Sequence, residues 1–279
     1  MLNRILVAII GIPLLLLMYI KGGIFIFIIS IIISVLGLHE YYSMAEKDGY
    51  NPYKILGITL SLIILSIKFY CSTYTLDLLV FAFIIMAIFS IVRGDTININ
   101  KDLGITFVGV AYISLFSYIF NISKLLYGNT WLVIIQISVW LCDSFAYFTG
   151  ISIGRKIFKD GFTKISPKKS KEGAIGGIVF TILSIYLIVK LHLIDGVNMH
   201  FVSIDGTTNF IFLIIFGLIV TISCEIGDLI ESVIKRGFNA KDSGNLLLSH
   251  GGILDRFDSL IFVMPISYFF LATYQNIWK

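Results

Sequence analysis

The sequence predicts an all-α fold, a polytopic membrane helix bundle of about nine transmembrane segments with no soluble domain. Three observations predict it. Of 279 residues, 57% are hydrophobic and only 14% charged, against roughly 25% charged in an ordinary soluble domain. Mean hydropathy is +0.94, which excludes a soluble enzyme. The apolar residues also come in long runs, and one crossing of a hydrocarbon layer about 30 Å thick takes roughly 20 of them.

Runs bounded by charge, Gly, Pro or Asn give nine segments in order. The first, 5–20, follows Asn3-Arg4; no A-x-A-like cleavage site follows it, so it is read as an uncleaved first helix. The second, 22–38, begins at once and stops before His39-Glu40. The third, 55–67, lies between Lys54 and Lys68, and the fourth, 76–92, ends at Arg93-Gly94. The first three are short for full spans, so they extend into flanking residues, tilt little, or, for the first two, form a shallow hairpin. The fifth and sixth, 103–120 and 130–150, flank Asn121 and Lys124; the seventh is 173–194, the eighth 209–234 and the ninth 258–275. A single membrane domain over 1–279 is expected: N-terminal helices over 1–140, a catalytic region over 141–259 with long loops at 151–172 and 235–257, and the last helix over 258–279.

Alternation of nine segments puts 16 of the 21 basic residues on one side, which the positive-inside rule makes cytoplasmic. A modest net charge of +4 gives no reason to expect nucleic acid as a partner. Cys71, Cys142 and Cys224 are odd in number and far apart, and read as packing residues, not as a disulfide framework or metal pair.

A carboxylate inside an apolar segment needs a partner or a task. Asp143 lies in the sixth segment, near Tyr147, and the eighth carries Glu225, Asp228 and Glu231. At 100° per residue these last three, with Ser232 and Lys235, fall within an arc of about 120° and form one polar stripe. Such a stripe lines a polar cavity, or else Glu225 and Asp228 pair with Lys235, Arg236 or a buried neighbour. The stripe leads into a stretch, 235–258, that holds Lys235, Arg236, Lys241, Arg256, Asp242, Asp255, Asp258, His250, Gly237, Gly244, Gly251 and Gly252. Glycines let backbone amides approach an anion, and Lys and Arg neutralise phosphate. Aspartates among them make sense where Mg²⁺ bridges them to phosphate. A merely solvated charged loop would explain the basic residues but not the glycines or aspartates. The other long loop has seven basic and two acidic residues, including Ser166-Pro167-Lys168-Lys169-Ser170-Lys171-Glu172 ahead of a glycine-rich helix start. It reads as an orienting charge cluster or as a binder of phosphate at the membrane surface.

These residues resemble a known family. The pattern Ser232-x-x-Lys235-Arg236, Lys241-Asp242-x-Gly244 and His250-Gly251-Gly252-x-x-Asp255-Arg256-x-Asp258 is similar to the signature of the phosphatidate cytidylyltransferases. So are Asp143-Ser144-x-Ala146-Tyr147-x-x-Gly150 and Ser166-Pro167-Lys168-Lys169-Ser170-x-Glu172-Gly173. The motifs cover roughly 143–259. One departure is Leu248-Ser249, where the family has Pro-Gly or a similarly small pair.

The resemblance implies that CTP and phosphatidate react to CDP-diacylglycerol and pyrophosphate, for phospholipid biosynthesis, at the cytoplasmic membrane surface; the Ile-rich composition and compact length fit a bacterial inner membrane. It implies catalytic roles for Lys235, Arg236, Lys241, His250 and Arg256, and substrate contacts from Ser166, Lys168, Lys169, Ser232, Gly251, Gly252, Asp143 and Tyr147. It implies one or two Mg²⁺ held among Asp242, Asp255, Asp228 and Asp258. Membrane lipids are expected partners, and a homodimer is left open. The alternatives are another CTP-dependent lipid transferase or dolichol kinase-like enzyme, and an ion-coupled transporter using Asp143, Glu225 and Asp228. Against the last stands the lack of an inverted repeat. A CDP-alcohol phosphotransferase pattern is missing, since Asp160-Gly161 continues as Phe162-Thr163-Lys164.

Overall fold

A computed structural model describes residues 2–71, 74–94, 98–163, 165–167, 169–191, 193–194, 206–244 and 251–277. Lys168 and His250, and with them Leu248-Ser249, lie outside the described residues. Ten α-helices follow in order, with no strand among the described residues: α1 (Leu2–Lys21), α2 (Ile24–Lys47), α3 (Lys54–Tyr70), α4 (Thr75–Arg93), α5 (Ile99–Ser114), α6 (Tyr118–Ser123), α7 (Gly128–Ile153), α8 (Lys171–Lys190), α9 (Gly206–Gly237) and α10 (Leu254–Ile277). A 3-10 turn, Leu115–Ser117, joins α5 to α6, so these two form the fifth expected segment, and each of the other eight is one helix.

Among the described residues seven helical stretches are long and apolar enough to cross a membrane. The chain is therefore an all-helical integral membrane protein, as its composition requires. The remaining two, α1 and α3, are two of the three segments expected to be short; the other, α2, extends into its flanking residues and is long enough to cross. Outward-facing apolar side chains such as Phe81, Ile84, Ile88 and Ile91 of α4 suit a hydrocarbon surrounding. Helix ends depart most from expectation where charge marks them. α2 runs nine residues past Leu38, to Lys47, and at 24 residues spans about 36 Å. α10 starts at Leu254, so Asp255, Arg256 and Asp258 belong to its first turns and not to a loop.

The chain divides into two compact units, Met1–Asn121 with Ile234–Ile261, and Ile122–Val233 with Phe262–Lys279. In the first, Leu60 and Ile64 of α3, Ala82 and Met86 of α4 and Val110 of α5 form an apolar core. The buried Tyr42 hydroxyl donates to Thr106 O at 2.9 Å, locking α2 to α5. Three connections gather at one end of this unit. The Asn51 amide donates to Asp102 at 2.9 Å, Arg93 donates to Asn51 O at 3.1 Å, and Asn239 donates to Asp48 at 2.7 Å. The parity read from the basic residues puts these same connections on one face.

In the second unit α7 packs along α8. A Cβ on Gly177 would stand 3.1 Å from the Ala146 Cβ, and one on Gly173 would stand 2.8 Å from Ala146 O. Glycines four residues apart on α8 thus let the two backbones approach, the usual solution where lipid supplies no hydrophobic drive between helices. Trp131, Phe212, Phe216, Phe270 and Tyr274 form an aromatic cluster linking α7, α9 and α10.

Candidate active site

Each of the two units carries a polar cluster. In the first unit α9 ends as Asn239 takes a left-handed conformation (φ 51°), with the Ala240 amide returning to Lys235 O at 2.8 Å. Asparagine tolerates this region better than most residues. Phe238 then packs edge-on against Tyr41 and Tyr50, at 5.4 and 6.1 Å between ring centroids. The chain re-enters a helix at α10, and Asp255 in its first turn reaches back to accept the Gly252 amide at 2.9 Å and the Ser243 amide at 3.1 Å. Its other oxygen accepts from Lys235 Nζ at 2.7 Å. A carboxylate in a first turn also meets the positive end of the helix dipole. Gly251 has φ 81°, a conformation that suits glycine, and a Cβ there would stand 2.9 Å from Asp255.

The structure therefore brings Lys235, Asp255, Gly251 and Gly252 together. Arg236, Lys241, Asp242 and Arg256 are exposed, and Asp258 and Ser232 are half-buried. With Lys235 and Asp255 paired to each other, the exposed charges among the described residues of 235–258 are Arg236, Lys241 and Arg256 against Asp242.

Sequence reasoning missed one member of this cluster. Glu40 of α2, 2% exposed, accepts from the Ser243 hydroxyl at 3.2 Å, the Ile253 amide at 3.0 Å and the Leu254 amide at 2.9 Å. Marking the second segment as ending at charge left Glu40 outside a helix. The available signal was the continuing helical spacing of Leu38, Tyr41, Tyr42 and Ala45, all buried.

In the second unit Ser170 caps α8, its Oγ accepting the Gly173 amide at 3.1 Å. Glu172, in the first turn, accepts the amides of Ile157 and Phe158 at 2.9 and 2.8 Å. Arg155 donates to Pro167 O at 2.5 Å, and Thr163 Oγ accepts the amide of half-buried Ser166 at 3.1 Å. These bonds fold the loop onto the start of α8 and direct Lys169 towards α9. Lys169 Nζ pairs with Glu225 at 3.1 Å and also with Asp228. Burial alone would favour the neutral amine, but Glu225 and Asp228 outweigh it and hold the Lys169 ammonium above the usual lysine range.

The carboxylates of Glu225 and Asp228 are thus paired, and the cation comes from the Ser-Pro-Lys-Lys loop, not from Lys235 or Arg236. Around them Asp143 accepts from Cys224 Sγ at 3.7 Å, and Asp228 and Glu231 hold carboxylate oxygens within 4.8 Å of each other. Asp143 and Tyr147 are exposed. Among the described residues Lys169 pairs with two of these carboxylates, Glu225 and Asp228, and a site so rich in carboxylates suits a cation.

These features define an integral-membrane enzyme whose charged groups are concentrated at helix ends and in two loops. A model of the Cytidylyltransferase family matches residues 2–274, so the chain belongs to that family and is a nucleotidyltransferase. It is 35% identical over 202 residues to a phosphatidate cytidylyltransferase of Bacillus subtilis, covering 72% of this chain and 69% of the relative. It is 32% identical over 246 residues to one of Thermotoga maritima, covering 86% of each. A third, from Staphylococcus saprophyticus, is 31% identical over 273 residues, covering 94% of this chain and 96% of the relative.

Proposed function

We propose that the protein transfers the cytidylyl group of CTP to phosphatidate. An ionised phosphate oxygen of the lipid attacks the α-phosphorus of CTP; the new P–O–P bond forms as the bond from the α-phosphorus to the α,β-bridging oxygen breaks, and pyrophosphate leaves. Phosphatidate brings its own charge to the reaction, so a strong general base is not needed. The difficulty is that both reactants are anions, which makes charge neutralisation and positioning the main work.

The observation that carries this reading is the family match across nearly the whole chain, together with the chemistry of the two clusters. Arg236, Lys241 and Arg256, with Lys235 behind them, supply the phosphate-neutralising charges. Lys235 also keeps Asp255 in place. Ser166, Lys168, Lys169 and Ser232 would meet the nucleotide or lipid headgroup, with Asp143 and Tyr147 in α7; His250, Gly251 and Gly252 would shape or contact the phosphates. The reaction would face the cytoplasm, the side the basic loops favour.

The carboxylates fit a hard divalent cation such as Mg²⁺. Two oxygens within 4.8 Å of each other, from Asp228 and Glu231, can share one ion at ordinary oxygen–metal distances. Asp242, Asp255 and Asp258 are the further candidates for a first or second ion. When bound, the cation would offset substrate charge and stabilise the departing pyrophosphate.

The test is purified protein in detergent with phosphatidate, Mg²⁺ and CTP labelled separately at the α- and γ-phosphates. The expected result is α-label in a CDP-lipid and γ-label in pyrophosphate. Transfer of γ-label to a lipid alcohol, with no CDP-lipid, would overturn the reading in favour of a kinase.

A further inference from the structure

We infer that Glu40 of α2 is a positioning residue for the transfer reaction, acting through the stretch that carries Asp255. The inference rests on the proposed function. The glycines of that stretch, read in sequence as admitting a substrate phosphate, admit a protein carboxylate. A Cβ on Gly244 would stand 2.6 Å from Glu40 Oε1, and one on Gly252 would collide with Glu40 Oε2 and the Ser243 Oγ.

Glu40 takes up donors from both sides of the connection between α9 and α10. On one side is the Ser243 hydroxyl; on the other are the Ile253 and Leu254 amides, which open α10 and have no acceptor within the helix. Ser243 is held twice, its hydroxyl by Glu40 and its amide by Asp255. The two carboxylates and Ser243 therefore form one network in which a shift of Glu40 moves Asp255.

Both Glu40 oxygens act as acceptors, so a glutamine must turn a donor NH₂ towards another donor. Its oxygen can replace only part of the set. Glu40 itself makes no bond to the outward-facing Arg236, Lys241 or Arg256 that would hold a nucleotide in the ground state. Loss of Glu40 should therefore spoil alignment more than binding. Misplacement by about 1 Å can slow an enzyme roughly 100-fold.

The experiment measures kcat and KM for CTP, and the melting temperature, in wild type, Glu40→Gln, Ser243→Ala, Gly244→Ala, Glu40→Ala and the Glu40→Ala/Gly244→Ala double variant. Wild type must first form CDP-lipid; if it does not, the functional reading itself fails. If it does, Glu40→Gln should lower kcat about tenfold or more, with KM for CTP within about threefold and melting nearly unchanged. Ser243→Ala should lower kcat in the same direction by a smaller factor, and decides the matter if Glu40→Gln fails to fold. Gly244→Ala, whose Cβ would meet only Glu40 among its three nearest atoms, should be damaging alone and add little to Glu40→Ala, since those atoms are then gone. Wild-type kcat in Glu40→Gln, or in Ser243→Ala if Glu40→Gln does not fold, would overturn the inference. So would a loss of kcat that only follows a loss of melting temperature, or full additivity of Gly244→Ala with Glu40→Ala.

Discussion

Each of the two long polar stretches is tied down by a glutamate that accepts two successive backbone amides, but the chain supplies that glutamate from very different distances. Glu172 holds Ile157 and Phe158 from 15 and 14 residues away. Glu40 holds Ile253 and Leu254 from 213 and 214 residues away. The first tie is local, and orders a loop against its own helix. The second makes the α9–α10 connection depend on a helix from the other end of the sequence. The surroundings differ too. One lysine, Lys169, gathers two carboxylates in the second unit, whereas one carboxylate, Asp255, gathers a lysine and two amides in the first. On the proposed function, the former arrangement would suit a cation and the latter would prepare a surface for phosphate.

The largest expected effect comes from the hub of the first unit. Asp255→Asn keeps the shape but removes the charge that Lys235 and two amides share, and should lower kcat by about 100-fold or more. Near-normal turnover would make Asp255 a loop fastener and nothing more.

Lys169→Met should have an intermediate effect, because it leaves Glu225 and Asp228 without their cation. Glu225 is buried, but the partly exposed setting of Lys169 and Asp228 moderates the penalty, so melting should fall by roughly 2–6 °C. The sign of its pH dependence follows from the raised affinity of Lys169 for its proton. That contribution is fully present below the ordinary lysine range and is lost only as pH rises through the raised value. The melting difference between wild type and variant should stay level from about pH 7 to pH 10; a gap that closes near pH 8 would contradict the pairing.

The smallest effect is expected at the local tie. Glu172→Gln should speed hydrogen exchange of the Ile157 and Phe158 amides by about tenfold or more, since each loses a bond to a charged acceptor. Its kcat should stay within about threefold of wild type. A loss as large as that of Glu40→Gln would erase the distinction between local and long-range ties.

These contrasts explain which parts of the molecule were legible in the sequence. Every expected segment corresponds to a helix because hydrophobic runs of that length have few alternatives in lipid. The signature residues stood out because charge is scarce in this chain. Their partners were harder to read. Sequence spacing offered Lys235, Arg236 or a buried neighbour for Glu225 and Asp228; the cation is Lys169, brought across by the folding of the loop before α8. Glu40 was invisible because charge was taken as a helix end, yet α2 continues for two more turns and buries it. Likewise Asp255 was placed in a loop because its position in the first turn of α10 depends on a tertiary carboxylate at that helix start. Tertiary pairing overrides local punctuation in each case.

The central claim, that lipid phosphate attacks the α-phosphorus of CTP, is tested most directly by phosphatidate carrying ¹⁸O in its non-bridging phosphate oxygens. The account predicts that all of the heavy oxygen stays in the CDP-lipid and none enters pyrophosphate. Heavy oxygen in the released pyrophosphate, or a lipid product lacking cytidine, would contradict it.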